Sequence, residues 1–144
     1  SFDTLGRLDW AGAEVGSDHL VSVVSEGADA AHLEKLERIG ASFIVAGAEE
    51  IDLRKALESL HDDFGISTLL LEGGGHVNAS FLQAGLVDEV SLLLAPVVDA
   101  RRGIATVFDG LEGEGWAPTS LKLRSVEQRP GEILWLRYDV VRPD

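Results

Sequence analysis

The 144-residue chain contains no cysteine, which excludes a disulfide framework, a thiol nucleophile and any thiolate metal site. Basic side chains are scarce: twelve Lys and Arg stand against twenty-five Asp and Glu, for a net charge of -13. A field of that sign opposes nonspecific attraction to DNA, RNA or anionic membranes, so neither nucleic acid nor membrane is the expected partner. No apolar run approaches the roughly 20 residues of a membrane span, and no basic segment leading into an apolar one opens the sequence. These features read as a soluble, cytoplasmic chain. Methionine is missing too, and the first residues are Ser1, Phe2 and Asp3, an opening expected of a piece of a longer polypeptide. What is present is 45% apolar residues, enough at this length for a core without covalent staples. A single domain over residues 1–144 is expected.

The hydrophobic pattern alternates between short apolar runs and amphipathic stretches. HLVSVVS (19–25) is rich in Val and ends at Glu26-Gly27, as a buried strand does. Asp29 is placed to cap a helix over 30–38, in which Ala31, Leu33, Leu36 and Ile39 recur at helical spacing before Gly40. SFIVA (42–46) predicts a second strand. Asp52 opens a second helix through about Phe64, with Leu53, Ala56, Leu57, Leu60 and Phe64 on one face. STLLL (67–71) reads as a strand running straight into Gly73-Gly74-Gly75, followed by a helix that Gly85 closes. Val90 to Pro96 is a further strand. The remainder changes character: 121–128 and 132–140 flank Arg129-Pro130-Gly131, a hairpin signal. The expectation is an α/β fold in which 19–98 share one mixed, mostly parallel sheet flanked by helices, with a C-terminal antiparallel hairpin. The acidic, glycine-rich stretch 109–118 reads as a surface loop, and no internal repeat is present.

Chemistry concentrates at Glu72-Gly73-Gly74-Gly75. Glycines without Cβ let a ligand approach the backbone, and the first N–H groups of the following helix would point at it. The pattern is neither G-x-G-x-x-G nor a P-loop, which needs a lysine and a hydroxyl. Two readings therefore stand side by side, an anion seat and a tight turn whose glycines only permit close packing. Glu72, at the C-terminal end of a buried strand, lies where open α/β sheets bind ligands; bonding to the backbone of the turn is its plainer role. His19, His32, His61 and His76 fall in different predicted elements without ligand spacing, so no metal is expected. No G-x-S-x-G nucleophile motif occurs. Arg7, Arg101 and Arg102 are the conspicuous cations, either solvated or a local site for a phosphorylated ligand.

LLLEGGGHVNASFLQAGLVDEVSLLLAPVV (69–98) resembles the signature region of the reductase domain of the bacterial riboflavin-biosynthesis deaminase-reductase family, within the dihydrofolate-reductase-like superfamily. FDTLGRLDW (2–10), HLVSVVSEGAD (19–29) and TVFDG (106–110) extend the match more loosely. The resemblance implies a cytoplasmic, homodimeric enzyme that binds NADPH and reduces a small sugar or heterocycle by hydride transfer. It places Gly73, Gly74, Gly75, His76, Val77 and Asn78 at the cofactor pyrophosphate and Ser25 near the adenosine ribose. Asp3, Thr4 and Arg7 would lie close to the adenosine phosphate or the substrate ribose. Glu72 would sit at the substrate and nicotinamide end, where a carboxylate or water delivers a proton. Glu26 departs in charge, since a carboxylate repels a 2′-phosphate, which leaves NADH open as the cofactor. Related domains begin with a strand and a Ser-x-Asp-Gly-like loop that nothing here supplies, so the chain is expected to be the larger, C-terminal part of a reductase domain. Alternatives are a non-catalytic nucleotide-binding or self-associating module, and dihydrofolate reduction.

Overall fold

The computed structural model describes residues 1–109 and 117–142. Its elements in order are β1 (Glu14–Val15), β2 (Asp18–His19), β3 (Val21–Val24), α1 (Ala30–Ile39), β4 (Ser42–Val45), α2 (Leu53–Asp62), α3 (Gly75–Gln83), β5 (Glu89–Leu94), β6 (Leu121–Arg129) and β7 (Ile133–Val140). They fall into two compact units, Ser1–Leu69 and Leu70–Asp144.

The first unit is built on a β-α-β crossover. The β3 and β4 strands pair in parallel from Val21↔Ser42 to Val24↔Val45, which requires a connection as long as α1. Local signals set that helix: the Asp29 carboxylate accepts from Ala31 N at its start, and Gly40 takes a left-handed φ of 78° at its end, a conformation that glycine adopts without a Cβ penalty. Asp52 caps α2 likewise, accepting from Arg54 N and Lys55 N. Because side chains alternate along a strand, the two helices bury different sets. Val23, Ile44 and Ala46 pack with Ala56 and Leu60 of α2, whereas Leu20, Ala41 and Phe43 gather with Leu36 and Leu33 of α1. The N-terminal segment runs beside β3 through a parallel Phe2↔Val23 bridge, held by Asp3 N to Val23 O and Val23 N to Ser1 O.

The second unit comprises α3 and an antiparallel sheet in the order β5-β7-β6. Its register places Val90, Leu92 and Leu94 across from Tyr138, Leu136 and Leu134 on one face. Ser91, Trp135, Arg137 and Glu127 occupy the other face. There Trp135 Nε1 donates to Ser91 Oγ at 2.8 Å, and the Arg129 and Arg137 guanidiniums lie 4.5 and 4.8 Å from the Trp135 ring centroid, within cation–π range. A register shift between Leu123 and Ser125 brackets Arg124, which pairs with both Glu89 and Asp139.

Several expectations change. Residues 67–71 belong to no ladder, although their composition favours a strand; apolar, β-branched sequence supplies propensity, but a strand also needs a backbone partner. Accordingly 19–98 do not share one sheet: the parallel pair β3-β4 and the antiparallel β5-β7-β6 are separate. The β1-β2 hairpin around Gly16 and Ser17 is an additional element. The C-terminal hairpin forms with a three-residue loop, in which Glu132 adopts φ 60° beside Gly131, so β7 begins at Ile133 rather than 132. Of the expected loop 109–118, residues 110–116 lie outside the described ones. No described helix is long and apolar enough to cross a membrane.

Candidate functional site

The three glycines before α3 answer to three different constraints. A Cβ on Gly73 would lie 2.8 Å from Val77 Cβ, and one on Gly75 would lie 2.7 Å from both Thr106 O and Asp109 Cβ. Close packing therefore requires these two. A Cβ on Gly74 would meet nothing within 4 Å, and the Gly74 backbone, at φ -72° and ψ 171°, is one any residue adopts. Gly74 is the α3 N-cap and supplies no side-chain hydrogen bond. The next three N–H groups, of Gly75, His76 and Val77, donate to no acceptor among the described residues, the ordinary state of a first helical turn without a cap. Gly74 thus fronts three free N–H groups across open space, an arrangement suited to an anion.

The same turn is braced from the far side of the sequence. Asn78 Nδ2 donates to Val107 O at 2.8 Å, and Asp109 N donates to Gly75 O at 3.1 Å. Asn78 is thereby committed to holding the 106–109 segment, while its buried Oδ1 has no hydrogen-bond partner. His76 and Val77 are exposed. An open cleft of about 650 Å³ lies alongside, bordered by Leu70, Leu71, Glu72, Asn78, residues 89–93 of β5, Phe108, Arg129 and Trp135, among others. Glu72 is exposed and has no hydrogen bond or ion pair among the described residues. Its carboxylate is thus available to a ligand rather than tied to the turn.

The remaining expected site residues gather in the first unit. Asp3, 9% exposed, accepts from Arg7 N at 2.9 Å and Leu8 N at 2.7 Å. The fully buried Ser25 donates through Oγ to Thr4 O at 2.8 Å and accepts from Gly27 N at 3.2 Å. Asp3, Thr4 and Ser25 therefore shape two adjoining loops. The Arg7 side chain emerges from them exposed and without an ion pair among the described residues. Arg101 is different, being engaged by Asp99 through paired hydrogen bonds that hold the Asp99 carboxyl below its ordinary range. Sequence reasoning missed Ser91, Arg129 and Trp135 as cleft residues. Only the register of β5, β6 and β7 brings them together, and no local motif signals it.

Residues 13–135 match the family profile described as the RibD C-terminal domain. The chain is 42% identical over 118 residues to a 2,5-diamino-6-ribosylamino-4(3H)-pyrimidinone 5′-phosphate reductase of Methanothermobacter thermautotrophicus, covering 81% of this chain and 53% of that protein. It is 34% identical over 125 residues to the protein of the same description from Aquifex aeolicus, covering 84% and 54% respectively. The chain thus spans about half the length of the curated relatives it matches. Among solved structures, a pyrimidine reductase-like protein of Corynebacterium diphtheriae superposes with a TM-score of 0.78 at 23% identity, covering 99% of this chain and 60% of that one. That likeness shows the fold alone, a mixed α/β architecture.

Proposed function

The chain belongs to the RibD C-terminal domain family, and from that premise we propose that it carries the dinucleotide-binding portion of a nicotinamide-dependent reductase acting in riboflavin biosynthesis. The observation that carries the reading is Gly74, whose missing Cβ leaves an open approach to the free N–H groups of Gly75, His76 and Val77. These residues fit a pyrophosphate: the donors meet no acceptor among the described residues, the helix dipole favours negative charge, and a Cβ on Gly74 would meet no described atom within 4 Å.

In the proposed arrangement the α3 N-terminus holds the pyrophosphate, and packing at Gly73 and Gly75 fixes that turn. In the first unit by itself, Asp3, Thr4 and Ser25 shape the loops from which the exposed Arg7 guanidinium is available to an anionic group. A bound reduced nicotinamide would supply the hydride for an electrophilic carbon of the substrate. Glu72, with no hydrogen bond or ion pair among the described residues, delivers or orients the accompanying proton, directly or through water. The substrate class that the relatives' names support is a ribosylaminopyrimidine 5′-phosphate. NADPH is the favoured cofactor, with NADH the competitor because the Glu26 carboxylate would repel a 2′-phosphate if the two were adjacent.

Titration of the protein with NADPH and with NADH, followed by nicotinamide fluorescence, tests the reading. Saturable binding of either, competed by ADP-ribose, is expected; a folded protein that binds neither would overturn it. Turnover with a ribosylaminopyrimidine phosphate separates a reductase from a module that only binds nucleotide.

A further inference from the structure

We infer that His32 is a positioning residue for Arg7, acting through Gly6 to fix where the Arg7 guanidinium meets a phosphate monoester. The inference rests on the reading of Arg7 as a contact to an anionic ligand. A Cβ on Gly6 would lie 2.6 Å from Cδ2 and 2.8 Å from Cγ of His32, so the imidazole lies directly against the backbone one residue before Arg7. Gly6 also holds φ 65°, a conformation that a side chain opposes. Asp3 grips the same turn by hydrogen bonds. Its backbone O accepts from Gly6 N at 2.9 Å, and its carboxylate accepts from Arg7 N and Leu8 N. The Arg7 backbone is thus held by one carboxylate and one ring.

His32 is a firm support because of where it stands. It lies in the first turn of α1, whose ends are set by Asp29 and Gly40 and whose Leu36 is buried in the core. The chain beyond Arg7 follows the same helix: Asp9 pairs with Lys35, Trp10 packs against the cluster that contains Leu36, and a Cβ on Gly40 would lie 3.8 Å from Ala13 Cβ. The row 32, 35, 36 and 40 follows the three- and four-residue spacing of one helical face. Residues 7–13 enter no ladder among the described residues, so this row of contacts, beginning at His32, aligns the segment that carries Arg7. What the ring supplies is shape. His32 Nε2 is buried without a hydrogen-bond partner among the described residues, an arrangement that folded proteins seldom keep and that a hydrogen-bonding role would have filled. A guanidinium aimed in this way suits the paired acceptor oxygens of a phosphate, whether the 2′-phosphate of NADPH or the 5′-phosphate of a ribosylated substrate.

The test is a double-mutant cycle on affinity, with the 144-residue protein titrated separately with NADPH and with ribose 5-phosphate. Arg7→Gln is expected to weaken, by about fivefold or more, whichever probe Arg7 contacts, which identifies the source of the phosphate. His32→Ala should weaken that same probe by about threefold or more and add nothing in the Arg7→Gln background, since residues that act through one another lose additivity. His32→Phe, which keeps a flat ring, should restore the affinity to within about twofold of the wild type. Urea unfolding accompanies each variant, and His32→Gln, which keeps bulk without the ring, takes the place of His32→Ala if that variant does not fold. An Arg7→Gln effect with no His32 effect, or with effects that add, would overturn the proposal alone, as would a folded His32→Phe with the weakened affinity of His32→Ala. Binding of neither probe, or an Arg7→Gln variant that changes neither affinity, would overturn the reading of Arg7 and the proposal together.

Discussion

At Gly74 an added Cβ meets no described protein atom within 4 Å and no forbidden backbone conformation. Gly74→Val should therefore lower stability by no more than the cost of a poorer N-cap, about 1 kcal/mol, while weakening dinucleotide binding at least tenfold. Urea unfolding and cofactor titration on one sample check both halves; unchanged affinity would remove the anion seat. Gly75 is the opposite case. Alanine in a helix is favoured over glycine by about 1 kcal/mol, but here its Cβ would stand 2.7 Å from Thr106 O and Asp109 Cβ. Displacing that segment costs about 1–3 kcal/mol and strains the Asn78 bond to Val107 O, so Gly75→Ala should destabilise the protein in urea despite the better propensity. Asp3→Ala removes a nearly buried carboxylate from two backbone N–H groups. The expected loss is about 2–3 kcal/mol, with Asp3→Asn recovering part of it by thermal or urea unfolding.

Among the elements, α1 depends on a single deeply buried side chain. Leu36, 1% exposed, joins Leu20 and Ala41 in a cluster closed by half-buried neighbours. Leu36→Ala should cost about 2–5 kcal/mol through lost transfer energy and the cavity left behind, read from the denaturant midpoint at unchanged m-value. This helix and α2 were legible in the sequence because Asp29, Gly40 and Asp52 act within three or four residues of their own positions. The C-terminal hairpin was legible for the same reason, since Pro130 and Gly131 specify a turn locally. Glu132 was not: its φ of 60° completes the loop geometry, and nothing in a glutamate side chain announces it. The 67–71 segment shows the limit from the other direction, because its apolar sequence states a preference for a strand that no ladder partner among the described residues fulfils.

For the whole molecule, a net charge of -13 sets a self-repulsion that short contacts do not remove. Raising ionic strength from about 0.01 to 0.15 M shortens the Debye length from about 30 to 8 Å, so the thermal midpoint should rise over that interval. A fall would mean that the exposed pairs, such as Arg124 with Glu89 and Asp139, outweigh the global repulsion. The division into two units distributes the expected site residues: Asp3, Thr4, Arg7 and Ser25 belong to one, and Glu72 through Asn78 to the other.

The sequence by itself determined the helices and their caps, the hairpin turn, the family, and the candidate turn from Glu72 to Gly75, because each is written in residues close together along the chain. Tertiary structure decided what surrounds those residues. Whether a glycine faces packed atoms or open space depends on Thr106 and Asp109 across from Gly75, some thirty positions away. That Asn78 braces the 106–109 segment depends on Val107 O, twenty-nine positions away. The cleft likewise exists through pairings such as Trp135 with Ser91, forty-four positions apart, which strand register creates and local composition does not encode.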